Sequence, residues 1–580
     1  MKLVGRCVAL IICSAPFSTI LTCICYLVTC VFPVVLTYSI SGIVALVADA
    51  QPAEACGPYL AGLLLSFAVV SLAGFILSIT LNAGVFEKSN AYCRLCIAKK
   101  AAELDLIEYE NADTLNYRSG ALNCVENETL PMFFMLFIKG LSGIFSLIAM
   151  SALLGSYHPV LVIAAVISVL PFFIVRAVRG KVMFRLKRIQ IPEMRRVRYL
   201  YSLFADPVTA KEIRLFETGE YLAGKWKNSF SVLQNQLLSA QNKDVKLLIA
   251  CEGVTVCFFA AAVAFSTYLA LKGVLSPGIF GGCLFAFLSM QNVTKNLFDH
   301  FGAIPQLFGD IQNYYHFLDI KGESLSTAQS SVQLTRKIEM SQVSFSYPNA
   351  KTPALDQINL TIKKGETVAV VGENGSGKTT LSKLLLGMYH PAAGVVSWDG
   401  SDLRTVTTSA LAGQTAIVTQ KPARLKLSLA ESIALQDTPG RSNEEIREIL
   451  RQAGLPQLAE SPDLLLQLGK EFGGIDLSGG EWQKLALARC IYKDAPVCVL
   501  DEPTSALDPT TEVSILKNFI SISKEKTSVI ITHRIGICRY ADKIIVLKNG
   551  RIVQEGTHEQ LVNVSGEYRT MYQNQSQWYE

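Results

Sequence analysis

A chain of 580 residues is too long for one domain, and its charged fraction of 17% lies below the roughly 25% of an ordinary soluble domain. Half the residues are apolar and the mean hydropathy is positive, which excludes a disordered chain, a fibrous repeat and a small disulfide scaffold. A net charge of +5, from 53 basic and 48 acidic residues, is too slight to argue for nucleic acid as a partner.

Long uncharged runs fill residues 1–320, which are expected to form a transmembrane domain with long cytoplasmic helical arms. A spanning helix needs about 20 mostly apolar residues. The candidates are Val8 to Val47 (one span plus an extension), Tyr59 to Val85, Pro131 to Leu154, Pro159 to Val175, Leu247 to Leu271, and Pro277 to Met290 with its continuation. The last is the weakest, because Lys295 and Asp299 follow it closely. The first run is longer than a signal-peptide core and a second span follows it, so it is expected to be retained.

Orientation follows from Lys and Arg in the loops. Arg176 to Arg198 holds nine basic residues against the single acid Glu193, whereas Ala48 to Pro58 holds no Lys or Arg. Both termini are therefore expected in the cytoplasm, and the chain in the plasma membrane as a multi-pass protein. The inner loops Phe86 to Thr129 and Arg176 to Lys246 are long and rich in helix formers, with turn or cap signals at Asn111-Ala112-Asp113 and Ala205-Asp206-Pro207. Lys139 and Glu252 lie near membrane depth and either line a cavity or snorkel to the inner interface; the second reading is favoured. Twelve of the 15 cysteines precede residue 320, mostly inside apolar runs, where a thiol acts as a small hydrophobe.

Residues 321–337 are Ser-rich and read as a linker; 338–580 have the texture of an α/β domain. Thr367 to Val371, Val497 to Leu500 and Ser528 to Thr532 read as buried strands. Lys543 to Leu547 and Arg551 to Gln554 read as a hairpin turning at Asn549-Gly550. Gly372-Glu373-Asn374-Gly375-Ser376-Gly377-Lys378-Thr379, followed by Thr380, satisfies G-x-x-x-x-G-K-[ST] between a strand and a helix. Its glycines let backbone N–H groups wrap a phosphate chain, Lys378 supplies charge for the β- and γ-phosphates, and the Thr379 hydroxyl can ligate Mg²⁺. Val497 to Leu500 then delivers Asp501 and Glu502 to the end of a buried strand, where one acid can hold Mg²⁺ and its neighbour can orient or deprotonate the attacking water. The expected cofactors are ATP and Mg²⁺.

Leu477-Ser478-Gly479-Gly480-Glu481 and Asp501-Glu502-Pro503-Thr504-Ser505-Ala506-Leu507-Asp508 resemble the signature and the Walker B/D-loop of ABC ATPases. Gln420 resembles the Q-loop glutamine, His533 the switch histidine and Tyr347 the aromatic that stacks on adenine. Glu481 stands where Gln is usual. Six spans followed by an ATPase are similar to an ABC exporter half-transporter. The resemblance implies a membrane α-helical bundle with a P-loop NTPase domain of ABC type, working as a homodimer or heterodimer in the lipid bilayer. It also implies ATP held by Tyr347 and Gly372 to Thr380 of one chain and closed over by Ser478, Gly479 and Gly480 of the second. Glu502 and His533 would be catalytic, and Gln420 would sense the Mg²⁺ held by Thr379 and Asp501. The arm tips near Tyr109 to Asp113 and Ala205 to Glu212 would be the coupling helices.

Ala210 to Phe216, Gly469 to Gly474 and Glu481 to Lys484 look like segments of lantibiotic and related peptide exporters. No domain precedes the first span, so a fused leader-cleaving peptidase is not expected. The expected function is ATP-driven export of a peptide. The alternatives are a multidrug or lipid/amphiphile exporter, one half of a heterodimeric exporter, and an ATP-gated channel or regulatory subunit.

Overall fold

The structure is a computed structural model in which residues 2–163, 190, 193–322, 331–436, 440–461, 463–503, 517, 519–520 and 525–576 are described. It divides into two compact units. The first comprises Met1–Ala102 and Asp113–Ile320, the second Glu103–Ala112 and Lys321–Glu580.

The first unit is helical. The run expected as one span with an extension is two helices, Lys2–Ser14 and Pro16–Ala48, because Pro16 has no N–H to continue the first helix and suits the opening of the second. Among the described residues, four helical stretches are long and apolar enough to cross a bilayer: Pro16–Ala48, Ala53–Glu103, Thr129–Tyr157 and Glu252–Leu271. Pro277–Ala303 is also one continuous helix but stands outside that group. The expected span Pro159 to Val175 and most of the basic loop Arg176 to Arg198 lie outside the described residues.

Small residues let these helices touch. A Cβ on Gly278 would come within 2.4 Å of Ala45 Cβ and 2.5 Å of the Ser41 carbonyl, so the backbones of Pro277–Ala303 and Pro16–Ala48 meet with no room for a side chain. Glu252 pairs with Lys295 at 3.3 Å, so this acid near membrane depth has a basic partner on a neighbouring helix.

Both turn signals fall where the chain reverses. Glu87–Glu103 and Ala112–Glu126 are joined through the 3-10 turn Leu106–Glu110. In the second inner loop the Asp206 carboxylate accepts from the amides of Val208 and Thr209 and so caps Pro207–Leu215. The helix Gly219–Leu271 then runs for 53 residues, roughly 80 Å at 1.5 Å per residue.

The second unit is built on two sheets. One has the order β2-β1-β4-β5, with antiparallel pairing among β1 (Lys337–Phe345), β2 (Leu355–Lys363), β4 (Ala393–Trp398) and β5 (Ser401–Asp402). The other has the order β10-β9-β3-β8-β7-β6. In it β3 (Thr367–Gly372), β6 (Thr415–Val418), β7 (Val497–Asp501), β8 (Thr527–Ile531) and β9 (Lys543–Lys548) are parallel, and β10 (Arg551–Gly556) closes it as a hairpin on β9. Every residue of β3, β7 and β8 is buried, as parallel strands covered on both faces require. That is why those runs read as continuously apolar. Two large core clusters flank the sheet. One gathers the helix Lys378–Leu385 and the antiparallel sheet around Trp398, and the other gathers the helix Gly479–Lys493 and its neighbours around Trp482.

Candidate nucleotide site

The strands β3, β8 and β7 are neighbours, and the register Val370↔Ile531 and Asp501↔Ile531 ends all three at one level. Their carboxyl ends, where an open α/β sheet places its chemistry, carry the P-loop, His533 and the Asp501-Glu502 pair. The loop after β6 brings in Gln420.

Gly372 must be glycine. Its φ is +153°, and a Cβ there would sit 2.2 Å from the Leu547 carbonyl and 2.7 Å from Ser376 Oγ. The chain then turns through Glu373, Asn374, Gly375 and Ser376 and enters the helix Lys378–Leu385 at Gly377. The Lys378 ammonium donates to the carbonyls of Gly372 at 2.9 Å and Glu373 at 3.0 Å. Burial lowers the Lys378 pKa, and the facing charges of Glu502 and Asp501 oppose that shift.

Asp501 is buried, and desolvation raises its pKa; a hydrogen bond with Thr379 works against the rise while the Glu502 charge adds to it. Among the described residues, neither its Oδ1 nor the buried Oγ of Ser376 in the P-loop has a hydrogen-bond partner. A spare carboxylate oxygen on the residue bonded to Thr379, with hydroxyls at Thr379 and Ser376 of the P-loop, offers the hard oxygen donors that a small divalent cation takes. The donor set therefore fits Mg²⁺.

Glu502 takes a left-handed backbone conformation, φ +46°, uncommon for a residue with a side chain. Its amide donates to the Ile531 carbonyl at 3.0 Å, which ties this turn to β8. Its carboxylate is bridged, with Oε2 accepting from Gln420 Nε2 at 2.7 Å and Oε1 lying 2.5 Å from His533 Nε2. Thus Gln420, Glu502 and His533, from three separate loops, meet on one carboxylate.

Tyr347 lies over the helix that follows the P-loop, its hydroxyl 3.1 Å from Thr380 Oγ1. Phe345 and Tyr389 stand edge-on to its ring, with centroids 5.2 Å and 6.0 Å away. Tyr389 donates to Glu110 Oε1 at 2.6 Å, and Lys383 reaches both Tyr389 (3.0 Å) and Glu110 (3.4 Å). Burial and Glu110 together push the Tyr389 hydroxyl up to about 12, so it stays a donor at neutral pH. Reading the sequence missed this group, because Glu110 and Tyr389 are 279 residues apart and no local spacing relates them.

The signature residues stand elsewhere. Ser478 caps the helix Gly479–Lys493, opened by Gly479 and Gly480, and its amide and hydroxyl both bond Glu481 Oε2, at 2.8 Å and 2.7 Å. Among the described residues no hydrogen bond or ion pair joins Ser478 to the P-loop of the same chain. The expected D-loop, Thr504 to Asp508, lies outside the described residues.

Residues 17–292 match the ABC transporter transmembrane region and 355–505 the ABC transporter family. The chain belongs to the ABC transporters of exporter type, with membrane region and ATPase fused, and it couples ATP hydrolysis to transport. Its relatives include the subtilin transport ATP-binding protein SpaT of Bacillus subtilis, 29% identical over 83% of this chain and 79% of that one. The nisin transport ATP-binding protein NisT of Lactococcus lactis subsp. lactis is 26% identical over 84% and 83%. An ATP-dependent lipid A-core flippase of Syntrophus aciditrophicus is 36% identical over 54% of this chain and 52% of its own length. The fold matches that of a bacterial Atm1-family ABC exporter with ATP bound, with a TM-score of 0.81, 21% identity and coverage of 96% and 98%.

Proposed function

We propose that this chain is one half of a dimeric exporter of the plasma membrane, both termini cytoplasmic, that moves a peptide of the lantibiotic type outward. The observation that carries the substrate class is that SpaT and NisT align through membrane region and ATPase alike, over 83% and 84% of this chain. The lipid A-core flippases, although more identical, align over little more than half of it, and they favour a second reading as an exporter of lipid or another amphiphile.

In the proposed mechanism ATP lies along Gly372 to Thr380 with its base on Tyr347. Bound Mg²⁺, held by Thr379 and Asp501 with Gln420 nearby, would supply a positive charge against the phosphates. Lys378 leaves the carbonyls of Gly372 and Glu373 for the phosphate oxygens. Glu502 orients and deprotonates the attacking water, and His533 holds that carboxylate and meets the γ-phosphate. A second chain closes the site with Ser478, Gly479 and Gly480, since amides at a helix N-terminus bind phosphate. The need for a second copy is supported by Ser478 having its bonds within its own helix.

The arm tips would pass closure to the spans. In support, Glu103–Ala112 packs as part of the ATPase unit, with Ile107 against its core and Glu110 bonded to Tyr389 and Lys383. The discriminating experiment is ATP-driven uptake into inside-out vesicles, comparing a lantibiotic precursor with fluorescent lipids and cationic drugs. Uptake of the peptide alone supports the peptide reading. Translocation of lipid or drug without peptide would replace it with the second.

A further inference from the structure

The helix Glu567–Ser576 near the end of the chain presents Tyr568, Met571, Tyr572 and Gln575 at i, i+3, i+4 and i+7, which is one face. Tyr568, Met571 and Tyr572 pack into a core with Ala369 and Val371 of β3 and with Ile535 and Cys538. That apolar anchor brings the polar fourth member, Gln575, against the loop that follows β8. There its side chain is spent wholly on backbone. Nε2 donates to the His533 carbonyl, and Oε1 accepts from the Ile535 amide at 2.9 Å. On its other side the loop is held by Thr532, whose amide donates to the Val370 carbonyl at 3.2 Å and whose Oγ1 accepts from Arg534 N–H at 2.9 Å.

We propose that Gln575 is a positioning residue for hydrolysis: it fixes the peptide units on both sides of Arg534 and thereby the direction in which the His533 ring meets Glu502. A primary amide suits this task, because one group offers a donor and an acceptor side by side, matching a C=O and an N–H two residues apart. Alanine offers neither. Glutamate keeps the acceptor for Ile535 but turns a carboxylate oxygen toward the His533 carbonyl. The helix thus does more than close a core, and the stretch 568–575 carries a role in catalysis at a distance. The proposal rests on the reading of His533 and Glu502 as the catalytic pair.

The test measures steady-state ATP hydrolysis by the full chain in liposomes for the parent, Gln575→Ala, Gln575→Glu, His533→Ala and the double variant Gln575→Ala/His533→Ala. Displacing a reacting group by about 1 Å costs up to roughly a hundredfold. Accordingly Gln575→Ala is expected to lower kcat about tenfold, with the KM for ATP within about twofold, and Gln575→Glu to lower it comparably. The double variant should be no slower than His533→Ala alone, because a clamp on an absent ring has nothing left to position. An unchanged KM also shows that the nucleotide site is folded. Parental kcat in both Gln575 variants overturns the proposal, and so does a further loss in the double variant. If His533→Ala itself turns over at the parental rate, the catalytic reading of His533 fails first, and that outcome is told apart by its own arm.

Discussion

Among single residues, Glu502 is held more tightly than any sequence pattern conveys. Its backbone is left-handed, and its carboxylate is shared between Gln420 and His533. Replacing it by Gln keeps the shape and removes the carboxylate proposed as the base. Hydrolysis in Glu502→Gln should fall by about a hundredfold or more while nucleotide binding persists, as read by phosphate release beside equilibrium binding of a fluorescent ATP analogue. Retained turnover would remove Glu502 from the chemistry. Residues of this kind are legible in a sequence because the reaction dictates both type and spacing over a few positions. Gly372 needs a backbone conformation that side chains avoid, and Asp501 needs the end of a buried strand. Gln575 and Tyr389 escaped notice because their partners are distant in the chain and their residue types are common.

Elements show the same division. The strands β3, β7 and β8 and the hairpin β9-β10 announce themselves by unbroken burial and by Asn549-Gly550, both of which take positive φ. By contrast, hydrophobicity alone ran through the break before Pro16, since apolar content marks what dissolves in lipid and is silent on where one helix stops. The seam between Pro16–Ala48 and Pro277–Ala303 depends on the missing side chain of Gly278. Overfilling a packed contact costs about 1–3 kcal/mol. Gly278→Leu should therefore lower the thermal midpoint in detergent, and an unchanged midpoint would mean that the seam opens freely. At the turn of the first arm, Glu110→Gln weakens the bonds to Tyr389 and Lys383 without touching the phosphate site. ATP hydrolysis should continue while transport per ATP falls by about fivefold or more. A parental ratio in reconstituted vesicles would show that this contact carries no coupling.

At the scale of the whole molecule, one chain holds only part of the proposed nucleotide site. The P-loop, Asp501, Glu502, Gln420, His533 and Tyr347 gather at the carboxyl ends of the central strands, whereas Ser478 bonds into its own helix. The order of the two parts along the chain and the chemistry of one part were readable from composition and motif. Substrate choice was not, since it resides in the shape of a helical bundle whose apolar surface looks alike for many cargoes. The most direct test of the composite site mixes two inactive copies. One carries Lys378→Ala and keeps its signature; the other carries Ser478→Arg and keeps its P-loop. Each alone should be silent. Co-expressed and isolated as a mixed pair by two affinity tags, they should recover ATP hydrolysis, because the intact P-loop of the second meets the intact signature of the first. A mixed pair as silent as its parents, beside an active unmutated pair, would contradict the account.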